Sequence, residues 1–412
     1  MKKLILFLSI FAGGLLISCE NNEPQPQKFA PAQRINVPAA LAPRIAQGNE
    51  FAFDLFYKIL QTTTDKNVFI SPLSVDFALG MTLNGANSVT EQEIKNVLHH
   101  SGLTDTQINE YYQLMINALP VVDPTSKLNI ANSIWCREGF PFYKTFLDVN
   151  AKYFAAKISN LDFSSPTALK TINNWCATQT NDLIKEPLDM ISPDAVMYLI
   201  NAIYFKGIWI TQFEKEKTTK TTFYAENDVQ NQVDMMHIPE GAFPYYTDAN
   251  AQYLDMGYGN GAFSMTLILP RDGKTLQAVT DNLSADYFSD IVKNRLDSTN
   301  VKVFLPRFKT EFKTDLNNVL IALGMPSAFS PVNADFSKMS EIHLFINRII
   351  HSTFVEVNEE GTEAAAITIV EMDFTSIGDN LPVFRADKPF MFVIRENSTG
   401  AILFMGKMGE IL

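Results

Sequence analysis

Five histidines, His99, His100, His237, His343 and His351, are the groups in this 412-residue chain whose ordinary pKa lies nearest neutrality. They form no catalytic or metal-binding pattern. His-Glu-x-x-His, Gly-x-Ser-x-Gly, Gly-x-Gly-x-x-Gly, a phosphate-binding P-loop and Cys-x-x-Cys are all missing. His99 and His100 are adjacent at a predicted helix end, where a cation suits the helix dipole better than a metal would. The sequence therefore predicts no enzyme activity, no metal and no cofactor. Its unusual chemistry sits in one backbone segment, NEEGTEAAAITIVEMDFTS, from Asn358 to Ser376. Acids and a glycine lead into Ala364, Ala365 and Ala366 and then Ile-Thr-Ile-Val, with no Gly or Pro between Thr362 and Ile377. A surface loop is normally rich in those two residues. A buried strand does not normally start on three alanines.

The alternation within the segment is more telling. An inserted strand presents every second residue to the core. Counting from Thr362, that set is Thr362, Ala364, Ala366, Thr368, Val370 and Met372, none of them charged. The opposite set is Glu363, Ala365, Ile367, Ile369 and Glu371. A slip of one residue would bury two carboxylates, so the register is well specified. Gly361 supplies the freedom a backbone reversal needs.

The elements that must position this segment read as follows. Residues 44–61 carry apolar side chains at helical spacing. Val68 to Ile70 reads as a short strand, and Pro72 suits the first turn of a helix. Thr90 three residues before Glu93 predicts a capping box. Residues 129–136 read as a buried strand, 143–158 as helix and 168–184 as helix. Residues 195–210 are a long apolar run, expected of a central strand buried on both faces. Strands dominate afterwards, interrupted by helices near 276–295 and 315–323. Helices cluster early and strands late, with no βαβ repeat in view, which predicts an α+β fold. No low-complexity break interrupts the interior, so a single domain is expected.

The chain is 46% hydrophobic with a formal charge of −12, long enough for a large core and a poor match for nucleic acid. Cys136 and Cys176 sit beside Trp in apolar surroundings and read as two buried free thiols, although pairing between them stays open. At the N-terminus, Lys2 and Lys3 precede an apolar stretch too short for a comfortable membrane span. It ends in LLISC, which resembles the lipobox of bacterial lipoproteins. That resemblance implies a signal peptide over 1–18, lipidation at Cys19 and a Pro-rich tether over 19–36. The acidic residue after Cys19 is similar to the surface-export signal of Bacteroidetes lipoproteins. A lipid anchor in the outer membrane, exposed at the surface or in the periplasm, is then expected. Asn397-Ser398-Thr399 is a glycosylation sequon by pattern and reads here as a turn.

Three segments together resemble the serpin family of serine-protease inhibitors. They are NVFISPLSVDFALGMTLNGANSVTEQEI (67–94), NAIYFKGIW (201–209), and the stretch from IHSTFVEVNEEGTEAAA (350–366) to FRADKPFMFVIRENSTGAILFMGKM (384–408). The resemblance covers residues 36–412, and the domain is bounded at 37–412. It implies helices packed round a large central sheet with smaller sheets and an exposed reactive-centre loop at about 359–382. It implies a hinge of Glu359, Glu360, Gly361, Thr362, Glu363, Ala364, Ala365 and Ala366. It maps a shutter beneath the opening sheet onto Ser71, Ser74, Asn201 and His351, and places Trp209 where the loop first enters. The family's spacing from Glu359 puts the reactive bond between Thr375 and Ser376. Phe374 is the alternative and Met372 a third cleavage point. The implied partner is a chymotrypsin-like or elastase-like protease, captured covalently by a monomer that acts as a suicide substrate. Subtilisin-like and papain-like targets stay open, as does a non-inhibitory carrier of the same fold. Trypsin-like enzymes are poor matches, because no Arg or Lys lies between Thr362 and Leu381.

Overall fold

The computed structural model describes residues 30–100, 102–226, 229–362 and 381–412. In chain order these form α1 (Pro43–Thr62), β1 (Asn67–Ile70), α2 (Pro72–Leu83), α3 (Ser88–Val97), α4 (Asp105–Ala118), β2 (Lys127–Arg137), α5 (Lys144–Phe154), β3 (Lys157–Leu161), α6 (Ala168–Gln179) and β4 (Met197–Ile208). Then follow β5 (Thr219–Tyr224), β6 (Gln230–Thr247), β7 (Ala251–Tyr258), β8 (Phe263–Pro270), α7 (Leu276–Thr280), α8 (Ala285–Asp290), β9 (Asp297–Pro306), β10 (Phe308–Asp315) and α9 (Asn317–Leu323). The chain ends in β11 (Ile350–Val357), β12 (Gly361–Thr362), β13 (Val383–Arg385), β14 (Phe390–Glu396) and β15 (Ile402–Met408).

Two sheets carry the architecture. One has nine strands in the order β1-β15-β14-β8-β7-β6-β9-β13, with β5 added on β6. Every residue of β8 and β14 is buried, and Phe69 stacks between Phe392 and Phe404 at its heart. The other has six strands in the order β10-β11-β12-β4-β2-β3. Helices α1 to α5 pack on one another, on α8 and α9, and on β15 and β4. Helix α6 rests on β2 and β4 over a separate small core of Trp135, Phe163, Ile172 and Leu188.

Local chemistry sets the element ends. Ser71 caps α2 by accepting the Ser74 amide, with Pro72 at the first helical position. Thr104 and Gln107 cap α4 reciprocally. The capping box expected at Thr90 and Glu93 does not form. Thr90 lies inside α3, whose N-cap is Asn87, and its hydroxyl accepts the Asp335 amide instead. Glu93 reaches Ser327. The helix expected over 143–158 stops at Phe154, because Ala155 turns left-handed and the chain enters β3. That strand runs parallel to β2, so β2-α5-β3 is a βαβ unit that the sequence reading missed. The helix expected over 168–184 ends at Gln179, where the Thr180 hydroxyl accepts the Ile184 amide. The helix expected near 276–295 is split between α7, α8 and a short π turn. The first five residues of β4 are half-buried rather than enclosed on both faces.

Candidate functional site

Strands β4 and β11 run parallel and make no ladder with each other among the described residues. Among the described residues they are joined only by β12. Thr362 opposes Val357 in β11 and Gly207 in β4, and Gly361 opposes Ile208, both antiparallel. Beneath Thr362 lies a cavity of about 20 Å³, lined by Ile203 and Phe205 of β4, Thr353 and Val355 of β11, and Phe69 below. Thr180, Leu183 and Ile184, just after α6, close it from outside. A volume of this size holds roughly one water. Gly361 and Thr362 thus occupy the top of a slot between β4 and β11.

Gly361 makes that filling possible. Its φ is +155°, and a Cβ there would stand 2.0 Å from the Gly207 carbonyl oxygen. Only hydrogen at that position lets the two backbones approach so closely. Thr362 is 3% exposed, and its hydroxyl hydrogen-bonds Tyr258 at 2.6 Å. Trp209 stacks on Tyr258 with ring centroids 4.4 Å apart. The Trp209 indole donates to the Asn358 carbonyl at 3.0 Å, and its amide donates to the Glu360 carbonyl at 2.8 Å. Trp209 thus sits at the top of the slot, against the hinge residues Asn358 and Glu360.

The two hinge acids are pinned differently. Glu359 is 2% exposed and receives two bonds from the Arg307 guanidinium plus one from the Thr218 hydroxyl at 2.6 Å. Burial alone would raise its pKa, but the bonds from Arg307 and Thr218 outweigh it and hold the carboxyl below its ordinary value. Glu360 pairs with Lys215 at 2.6 Å through one oxygen, while its other oxygen is buried without a partner. Sequence reasoning did not find Arg307, Thr218, Lys215 or Tyr258. The signal available was the need of two hinge carboxylates for cations, which PRFK at 306–309 only weakly advertises.

At the lower end of the slot the Ser71 amide donates to His351 Nε2 at 3.0 Å, so the ring proton sits on Nδ1. The Ser71 hydroxyl donates to the Leu403 carbonyl and accepts the Ser74 amide. Burial pushes His351 down to about 4, so the ring is neutral at pH 7. Of the four expected shutter residues, Ser71, Ser74 and His351 share one hydrogen-bonded chain. Asn201 lies outside it, because its amide donates to Asn132 at 2.8 Å and its carbonyl oxygen is buried without a partner. Glu363, Ala364, Ala365, Ala366, Met372, Phe374, Thr375, Ser376 and Cys19 lie outside the described residues.

The remaining candidates resolve simply. Cys136 and Cys176 are both free and buried, and burial raises both thiols. His100 is not the helix-end cation the sequence suggested. It is 3% exposed beside the Tyr112 hydroxyl, and burial first and the nearby Arg44 second push it down to about 2. Asn397 stands in a turn with its side chain bonded to Gly261 and Ser264. Among the described residues no cluster of His, Cys, Asp and Glu could hold a metal ion, and no helix is long and apolar enough to cross a membrane.

These features agree with known proteins over nearly the whole length. Residues 46–411 match the model of the family described as serpin (serine protease inhibitor). The leukocyte elastase inhibitor of Xenopus laevis is 36% identical, over 87% of this chain and 96% of its own. The native-state crystal structure of the thermophilic serpin tengpin superposes with a TM-score of 0.82 at 34% identity, covering 93% of this chain and 97% of tengpin. Human thyroxine-binding globulin, solved in complex with thyroxine, gives a TM-score of 0.81 at 28% identity, covering 90% of this chain and 100% of its own. A slot between two parallel strands, entered by a Gly-Thr hinge below a tryptophan, on a chain matched from residue 46 to residue 411, makes this protein a member of the serpin family with the serpin fold.

Proposed function

We propose that the chain inhibits serine proteases as a suicide substrate, through cleavage of its loop and insertion of the cut strand between β4 and β11. The observation that carries this is the register of Thr362 in the slot. Continued one residue at a time, the register sets Ala364 against Phe205 and Val355, Ala366 against Ile203 and Thr353, and Thr368 against Asn201 and His351. Every residue this assigns to the core is uncharged, and Glu363 falls on the outer face opposite Lys206 and Glu356. The protease serine attacks the bait bond after Thr375, or alternatively after Phe374 or Met372, and forms an acyl-enzyme. Insertion outpaces hydrolysis and leaves the enzyme distorted, so the inhibitor needs no catalytic residue of its own. The aliphatic and aromatic candidates favour chymotrypsin-like or elastase-like targets. We assign the site of action to the cell envelope, with the signal over 1–18 removed, Cys19 lipidated and residues 19–36 as tether.

Incubation with one chymotrypsin-like and one elastase-like enzyme should give an SDS-stable complex, and mass spectrometry of the released fragment should identify the bond. Nicking the loop between residues 372 and 376 should raise Tm by more than about 20 °C, from roughly ten new ladder bonds near 1 kcal/mol each. An unmoved Tm removes the mechanism. A carrier reading draws on one feature, a cavity of about 550 Å³ between α1, α8 and residues 34–37. A carrier would be cut without complex formation or stabilisation.

A further inference from the structure

The corner where α3 gives way to α4 carries two adjacent histidines that take no part in the slot. His99 makes a left-handed turn with φ +54°, and the chain then delivers His100 into the helical layer. The two rings meet opposite surroundings. His99 is half-buried, with Nε2 2.8 Å from Asp54 and Nδ1 3.3 Å from Glu50, both on α1. His100 enters a polar knot shared by α1, α2 and α4. Arg44 of α1 and Tyr112 of α4 are fully buried there, and Asp76 of α2 nearly so. Asp76 accepts the Arg44 guanidinium through both oxygens and the Tyr112 hydroxyl at 2.6 Å. The rings of Tyr111 and Tyr112 lie 5.3 and 5.7 Å from the Arg44 guanidinium carbon. Gly80 of α2 leaves room for the knot, since a Cβ there would stand 2.5 Å from the Tyr112 ring.

The Tyr112 hydroxyl gives its proton to Asp76, so its oxygen accepts from His100 Nε2 at 3.3 Å. The ring proton therefore sits on Nε2, and Nδ1 is bare. Nδ1 is buried without a hydrogen-bond partner among the described residues, as are Nε and Nη1 of Arg44. With His100 neutral the knot is balanced, one guanidinium against one carboxylate. A second proton on His100 would add a buried positive charge and a third unpartnered donor beside the two of Arg44. The other ionisable neighbours do not answer that charge. Lys95 and His99 are themselves basic, Lys95 is held by Glu91 and Asp105, and burial keeps Tyr111 a neutral phenol. We propose that His100 is an acid-operated release for α4. As pH falls below the ordinary histidine range, the opened corner takes up a proton that the closed knot refuses. Helix α4 then separates from α1 and α2 while both sheets stay folded. The sign follows from burial and Arg44, which put the folded pKa below the unfolded one. The stability His100 contributes is complete above about pH 6.5 and is lost as pH falls. His99 works the other way, because Asp54 raises it and keeps it charged against α1 in acid. The release is independent of the inhibitory reading above.

The test is amide hydrogen exchange of the full chain at about pH 7.5 and about pH 5, with rates corrected for the intrinsic chemistry of exchange. Amides of α4 should open about 10-fold more often at the lower pH, within the ~30-fold ceiling set by a histidine of ordinary pKa in the open state. Amides of β14, in the buried core of the nine-stranded sheet, should lag well behind. His100→Gln keeps a donor towards Tyr112 and does not titrate, so it should cut the acceleration of α4 to less than about twofold. His99→Gln removes the neighbouring titration and should leave the acceleration in place. Equal acceleration of α4 in the wild type and in His100→Gln overturns the proposal. So does no acceleration in the wild type, or a β14 that speeds up as much as α4, which would make the opening global. Should His100→Gln melt early at neutral pH, His100→Asn takes its place, with the acceleration again expected to vanish.

Discussion

The two sheets differ in how far their hydrogen bonding is completed. In the nine-stranded sheet β14 is laddered on both sides, to β8 and β15, and all seven of its residues are buried. In the six-stranded sheet β4 is laddered to β2 along ten residues on one side and to β12 through two on the other. The lower half of β4 is correspondingly half-buried. The first sheet is a finished core. Among the described residues the second sheet pairs β4 on its β12 side at Gly361 and Thr362 only. Under the inhibitory reading proposed above, a strand that continues this pairing would release the free energy of its new ladder bonds. Gly361 and Thr362 hold the top two positions, which fixes the register for any strand continuing from them.

The largest break in this contrast comes from putting charge into the slot. Thr362 is almost fully buried against Tyr258. Thr362→Arg places a guanidinium in that buried site, at a cost of several kcal/mol. The variant should be cleaved as a substrate, with the SDS-stable complex reduced at least tenfold and the nicked form lacking the Tm gain. Complex yield equal to wild type would mean that the core-facing set starts on the other parity.

His351 separates the slot from the finished core by pH. Its folded pKa of about 4 lies below the ordinary 6.5, so the unfolded chain takes up the proton first as pH falls. The stability this residue contributes is complete above pH 6.5 and is lost between there and about 4, amounting to roughly 3 kcal/mol. Thermal melts of the wild type should therefore fall more steeply across that window than melts of His351→Gln, which does not titrate. Parallel profiles would show that the ring is not held neutral by the closed sheet.

How much of this was legible follows from the range of each interaction. The period-two pattern around Thr362 and the glycine at 361 are local, and the chain shows them openly because a strand can satisfy its charges in one register only. The cations at Arg307 and Lys215 lie 52 and 145 residues from the acids they bind. Nothing in the local pattern marks them. Strand β6 went unread because Pro239, Gly241 and Pro244 interrupt it, and the structure absorbs them in a register shift between Ile238 and Gly241. The Thr90 capping box failed because a distant backbone amide competed for the hydroxyl. Asn201 was correctly placed on β4, but its amide turns to Asn132 directly across the strand pair.

The finest distinction lies within the hinge itself, between two adjacent acids. Glu359 is buried and bonded through both oxygens, so Glu359→Gln removes charge-assisted bonds and leaves Arg307 only its looser pairing with Asp234 at 3.9 Å. Because Arg307 is 42% exposed and partly screened, the cost is about 1–2 kcal/mol, read from urea melts. The same carboxyl is held below its ordinary value, so its contribution is complete above the unfolded pKa and is lost as pH falls through the folded one. That window opens at the acid end of the one assigned to His351 and extends below it, so the difference between wild type and Glu359→Gln in the lowest-pH part of an acid titration reports Glu359. Glu360→Gln should leave stability within error of wild type. Its cation, Lys215, is 55% exposed, and its second oxygen has no partner to lose. A double-mutant cycle with Lys215→Ala should give no coupling beyond error. Clear coupling there would make Glu360 a second pin of equal rank, and the entry to the slot would then be held at two points rather than at Glu359 alone.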